Sequence, residues 1–139
     1  MTLQSWFDEF MPVKASKAHK TDLKALQHAL KKWQGLDKTN LKKHGLKLTV
    51  FNNICEIDDN SEYFAVNGES CALCLKYTRC HSILNCPLQV VRENARACDE
   101  KTSSETISPW DTWGRNGDPK PMIRLIKKAL KQELEKQNG

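Results

Sequence analysis

No apolar run in this 139-residue sequence exceeds a few residues, so no segment reads as a bilayer-spanning helix. The opening stretch, MTLQSWFDEF, holds two acids and no long apolar core, which is not the pattern of a secretory signal. A cytoplasmic, reducing setting is therefore expected, and stable disulfides are not. Internal repeats and low-complexity linkers are absent too, and the length suits one domain with a modest core. Also missing are the marks of common catalytic chemistry. There is no phosphate-binding glycine loop, no serine nucleophile motif, and no His-x-Glu ahead of a Pro-Cys-x-x-Cys deaminase signature. These absences argue for a non-enzymatic protein.

Charge is present but unevenly spread. Residues 12–47 hold ten lysines and no arginine against Asp22 and Asp37, while residues 48–70 hold Glu56, Asp58, Asp59, Glu62 and Glu69 with no lysine or arginine. A basic module followed by an acidic one either attracts a charged partner or neutralises itself within the fold. Lysine without arginine is poor equipment for fork-shaped recognition of phosphate.

The elements predict an α+β domain. In SWFDEFMP, Ser5 is the expected cap, Asp8 takes the capping-box position and Pro12 stops the helix; Trp6, Phe7 and Phe10 then form a plug for the core. The stretch TDLKALQHALKKWQG reads as a helix capped by Thr21 or Asp22 and stopped at Gly35, with Leu23, Leu26, Leu30 and Trp33 inward. Lys24, Lys31 and Lys32 are placed on its opposite face. DKTNLKKHG adds a short helix carrying Lys42 and Lys43 and ending at Gly45. His28 and His44 read as surface or capping residues. LKLTVF, ICEI and EYFAV are rich in β-branched and aromatic residues and read as a hairpin with a third strand. DDNS is the turn that accounts for Asp58 and Asp59. CPLQVVRENARAC begins with Pro87 in a favourable first helical position. SPWDTWG is a helix capped by Ser108 and closed by Gly114, with Trp110 and Trp113 on its core face. The last helix, DPKPMIRLIKKALKQELEKQ, is capped by Asp118 and buries Met122, Ile123, Ile126, Ala129 and Leu130. The organisation expected is a basic helical part (1–47), an acidic hairpin (48–70), a cysteine cluster (71–98), and a tryptophan motif with a terminal helix (99–139).

The cluster CALCLKYTRCHSILNCPL holds four of the six cysteines. Cys71 and Cys74 form a Cys-x-x-Cys pair after a predicted strand, the arrangement of a zinc knuckle. A redox pair would sit at a helix N-terminus after a βαβ pattern and would have no use for the surplus thiols. Cys86, just ahead of the Pro87 helix, stands where a thiolate both caps the helix and binds metal. The residues alone leave the fourth ligand open between Cys98, at the far end of that helix, and Cys80, whose neighbour His81 is too close for both to bind one ion. Cys55, in a predicted strand, reads as a buried inert thiol.

The segment SCALCLKY…CHSILNCPL…C…SPW resembles small zinc-binding proteins of tailed phages and prophages. Those carry Cys-x-Leu-Cys, Cys-Pro, a further Cys and a Ser/Thr-Pro-aromatic triplet. The resemblance covers about residues 70–113. It implies one structural zinc per chain on Cys71, Cys74, Cys86 and Cys98, with Cys80 as the alternate ligand, because the extra cysteine falls six residues before Cys-Pro rather than three. It also implies a phage or prophage origin and hence the host cytoplasm. A cysteine-saturated zinc has no open position for catalysis. The function expected is an interaction with a host or phage protein and no membrane. The alternative is nucleic-acid binding through the lysine-rich 14–47 segment. Lys24, Lys31, Lys32, Lys42 and Lys43 are the candidate binding residues in either case.

Overall fold

The structure, a computed structural model, describes residues 2–14, 17, 21–51, 54–66, 87–90 and 107–138. Its elements run α1 (Leu3–Phe10), α2 (Asp22–Gly35), α3 (Lys38–Lys43), β1 (Lys47–Phe51), β2 (Ile54–Asp58), β3 (Tyr63–Val66), α4 (Pro87–Val90), α5 (Pro109–Asn116) and α6 (Lys120–Asn138). Helices and a small antiparallel sheet together make the α+β class expected from the sequence.

Helix α1 starts one turn earlier than its sequence suggests. Thr2 is the cap: its hydroxyl accepts the Ser5 N–H while Ser5 Oγ accepts the Thr2 N–H. Ser5 is thus the reciprocal member of a capping box rather than its cap, and Asp8 instead accepts a bond from Gln4. The gain of a turn brings Leu3 into line with Trp6 and Phe10, all buried, with Phe7 packed partly against them. The aromatic plug is therefore inside. Trp6 donates its indole N–H to the Gly35 carbonyl at 2.8 Å, which fastens α1 across the end of α2.

Thr21 caps α2 by accepting the Lys24 N–H. Helix α3 ends in a left-handed Gly45 (φ 66°), with Gly45 N–H bonded to Lys42 O and Leu46 N–H to Leu41 O. This closes the helix and turns the chain into β1. The sheet order is β1-β2-β3. Its register sets Leu48 opposite Ile57 and Ile57 opposite Phe64, and Val50 opposite Cys55 and Cys55 opposite Val66. Opposed residues share a face, and this one meets the core through Cys55, Ile57 and Val66. At the β2–β3 turn, Asp59 Oδ1 accepts the Ser61 and Glu62 N–H groups at 2.9 and 2.8 Å. Turn chemistry does explain these acids.

Ser108 caps α5 as expected, but the helix runs past Gly114 to Asn116 and closes on Gly117 (φ 66°). Gly114 is buried within the helix, where nothing calls for a left-handed residue. At Gly117 a side chain would collide with Leu48 of β1, with Leu48 Cδ2 only 2.6 Å from where Cβ would lie. Trp113 and the half-buried Trp110 meet Trp33 of α2 edge to face, with centroids 5.1 and 6.0 Å apart. Helix α6 packs on α2, α4 and α5 and buries Met122, Leu125, Ile126 and Ala129. Leu125 belongs to this stripe, while Ile123 and Leu130 flank it, half-buried. Residues from every helix and from the sheet contribute to one apolar core. Among the described residues no helix is long and apolar enough to cross a membrane.

Candidate interaction surface and cysteine site

The lysines singled out from the sequence do not share one environment. Lys24, Lys31 and Lys42 are exposed and take part in no ion pair among the described residues. Lys43 is exposed as well, but its Nζ reaches both Glu9 carboxylate oxygens at 3.0 and 3.1 Å. Lys32 departs from expectation altogether. It is fully buried, with Nζ 4.9 Å from the centre of the Trp33 ring. The reason lies in the helix phase. The buried residues of α2 are Ala25, Leu26, Ala29, Lys32, Trp33 and Gly35, so the inward stripe is centred on the alanines rather than on Leu23 and Leu30, and Lys32 falls within it. A long aliphatic stem and a ring face suit that position.

His44 is the C-cap residue of α3, which fits the capping reading, but it does not lie on the surface. It is buried, and its ring links two residues of α1: Nδ1 lies 2.8 Å from Ser5 Oγ and Nε2 lies 2.7 Å from Glu9 Oε1. The His44 bond, and next the Lys43 bond, hold the Glu9 carboxyl below its usual range. The spacing of Ser5 and Glu9, four apart on one helix face, was the signal available for this cluster. His28 is half-buried and donates Nε2–H to the Val13 carbonyl at 2.7 Å. Burial pushes its pKa below the ordinary value and the Lys32 charge adds to the fall, against the raising effect of the Val13 bond. Asp59 reaches beyond its own turn to accept the Leu3 N–H at 2.9 Å. That bond, with those from Glu62 and Ser61, lowers its carboxyl pKa.

Cys55 is the buried thiol expected. Its Sγ donates to the Trp113 carbonyl across 3.2 Å, and burial pushes the pKa up to about 11. A thiol kept protonated and hydrogen-bonded in this way is not a metal ligand, which leaves five cysteines for the 71–98 segment. Cys71, Cys74, Cys80, Cys86 and Cys98 all lie outside the described residues. Helix α4 does begin at Pro87, the residue after Cys86, with Pro87 and Leu88 buried. The described residues contain no group of three or more His, Cys, Asp or Glu that would hold a metal.

A further basic surface lies on α6, where Lys120, Arg124, Lys127, Lys128 and Lys131 are all exposed. Their spacing of three and four was the available signal. No protein family, curated protein or solved structure matches this chain.

Proposed function

We propose that this chain is a non-enzymatic binding protein that docks on an acidic surface of a host or phage protein, its central segment held by a structural zinc. The observation that carries the reading is the disposition of the lysines against that of the tryptophans. Lys24, Lys31 and Lys42 are exposed on ordered helices without ion-pair partners among the described residues. Trp6, Trp33 and Trp113 are buried. Exposed unpaired cations steer an acidic partner into encounter, while single-stranded nucleic acid is usually gripped by stacking bases on exposed rings. Among the described residues the large ring that is exposed, Tyr63, stands opposite Asp58 on the sheet, in a neighbourhood that repels phosphate.

The zinc rests on the chemistry of the donor set. Cys71, Cys74, Cys86 and Cys98 would supply four thiolates, a set that suits tetrahedral zinc and leaves no open position; Cys80 is the alternate. Cys55 is engaged elsewhere as a neutral thiol. The ion would tie the chain ahead of α4 to the rest of the fold. The host cytoplasm is the compartment that keeps these thiols reduced.

The test is capture from host lysate, with and without nuclease, by wild type and by the Lys24→Glu, Lys31→Glu, Lys42→Glu variant. Lys32 is left untouched because it is buried. A single protein that survives nuclease and is lost by the variant supports the reading. Retained material that vanishes with nuclease would establish nucleic-acid binding instead.

A further inference from the structure

Helix α6 has two faces of opposite character. Met122, Leu125, Ile126 and Ala129 are buried, whereas Lys120, Arg124, Lys127, Lys128 and Lys131 are exposed at spacings of three and four. Residues at these spacings are neighbours on one side of a helix, so the cations form a row about 16 Å long at 1.5 Å per residue. No acid interrupts it between Pro119 and Gln132. Among the described residues, none of the five has an ion-pair or side-chain hydrogen-bond partner.

This row does not serve the helix itself. Like charges three and four apart weaken a helix. The polarity is also wrong for the macrodipole, which favours acids in the first turn and cations in the last. Helix α6 has no acid in its first turn and a single cation, Lys136, in its last; its other five cations fill the first two-thirds, and Glu133 and Glu135 come after them. Only Asp118, which accepts the Lys120 N–H, complements the N-terminus. An external anion is what would make such a row favourable.

The row also ends in an apolar residue. Leu134 is 41% exposed, and it stands three residues after Lys131 and seven after Lys127, on the same side. Four of the five cations are lysine, a point charge rather than the planar fork that grips phosphate in pairs. A phosphate backbone has no use for Leu134; an amphipathic acidic segment of a protein does.

We propose that the outer face of α6 is the docking surface for an acidic protein segment, with carboxylates spaced along Lys120–Lys131 and an apolar side chain covering Leu134. This rests on the acidic-protein reading above and names a second, larger basic face for it.

The probe is a fluorescein-labelled synthetic helical peptide with glutamates at spacings of three and four and one leucine near its end, compared with a short DNA duplex. Two variants are needed: Arg124→Glu with Lys127→Glu and Lys131→Glu, and Leu134→Ser alone, both checked for unchanged helicity and melting. The peptide should bind the wild type, weaken at least tenfold with the charge variant, and weaken about threefold to tenfold with Leu134→Ser at unchanged salt. Tighter binding of the duplex, with Leu134→Ser silent, would make the face a phosphate surface and overturn the proposal. So would failure of the peptide to bind, or sedimentation showing that the face is occupied by a second copy of the chain. If the α6 variant keeps the lysate partner that the α2–α3 variant loses, this inference fails while the broader function stands.

Discussion

Trp6 and Gly35 fix the angle at which α1 crosses α2: the indole N–H donates to the Gly35 carbonyl at 2.8 Å, and Phe10 lies where a side chain on residue 35 would go. A Cβ built on Gly35 would fall against Phe10 Cγ, Cδ2 and Cβ. Gly35→Ala should therefore push the aromatic plug away from the core. The expected loss is about 1–3 kcal/mol, the ordinary range for overpacking, read from the urea midpoint. Phe10→Leu in the same chain should recover part of it by making room.

The tryptophans are not equivalent. Trp113 is 1% exposed and meets Trp33 edge to face, whereas Trp110 is only half-buried. Trp113→Ala should cost about 3–5 kcal/mol, as for other large core truncations, and Trp110→Ala clearly less. Native emission should be blue-shifted and poorly quenched by iodide. A red, readily quenched spectrum would contradict the burial of Trp6, Trp33 and Trp113.

Much of this architecture was legible because local chemistry and tertiary packing agree. Thr21, Ser108 and Gly45 act as the caps and stops that their residue types imply, and the β-branched runs pair as a three-stranded sheet with its turn at Asp59. The errors come from places where one turn of helix or a fraction of a turn decides. Ser5 is a plausible cap until Thr2 proves to have the reciprocal bond. Lys32 is a plausible surface residue until the alanine-centred phase of α2 brings it under cover. Gly114 resembles a stop, but of the two glycines it is Gly117 that has the left-handed conformation. His44 joins elements 35 residues apart, and no local pattern encodes such a contact. Of the candidate site, the exposed lysines were readable; the cysteines proposed as metal ligands lie outside the described residues.

Acid should weaken the fold in two stages. His28 has a folded pKa below the unfolded value of 6.5, so as pH falls below that value the unfolded chain takes up a proton that the folded chain resists. Glu9 and Asp59 have folded pKa values below 4.5 and 3.8; their contribution is present above those values and is lost as pH drops through the folded ones. Urea midpoints measured between about pH 7.5 and about pH 3 should decline throughout. His28→Gln, which can keep a donor toward Val13, should flatten only the upper part, and Asp59→Asn only the lower part. A His28→Gln profile that matches wild type would show that this ring does not link stability to pH.

Cys55 should be the slowest of the six cysteines to react with a thiol reagent. Its pKa is raised to about 11 by burial, and its S–H is committed to the Trp113 carbonyl. The attacking species is the thiolate, so labelling near neutral pH requires both opening and deprotonation. Peptide-resolved mass spectrometry after timed alkylation should find Cys55 unmodified until denaturant is added. Trp113→Ala should speed its labelling more than it speeds that of any cysteine in the 71–98 segment.

Removing zinc should act on the core through α4. Leu88 is 1% exposed and belongs to the core, and α4 packs on α6. Cys86 immediately precedes this helix, so a metal held by Cys71, Cys74, Cys86 and Cys98 would decide whether Leu88 reaches its place. In small zinc modules the binding free energy is folding free energy, on the order of 10 kcal/mol. Protein purified without added zinc should contain one ion per chain, and a strong chelator should lower the melting temperature sharply. Cys86→Ser should lower it more than Cys80→Ser. The reverse order would make Cys80 the fourth ligand or show that the ligand assignment has slipped. A chain that stays fully folded and metal-free would show that α4 needs no ion to hold Leu88, and the zinc assignment would fall with it.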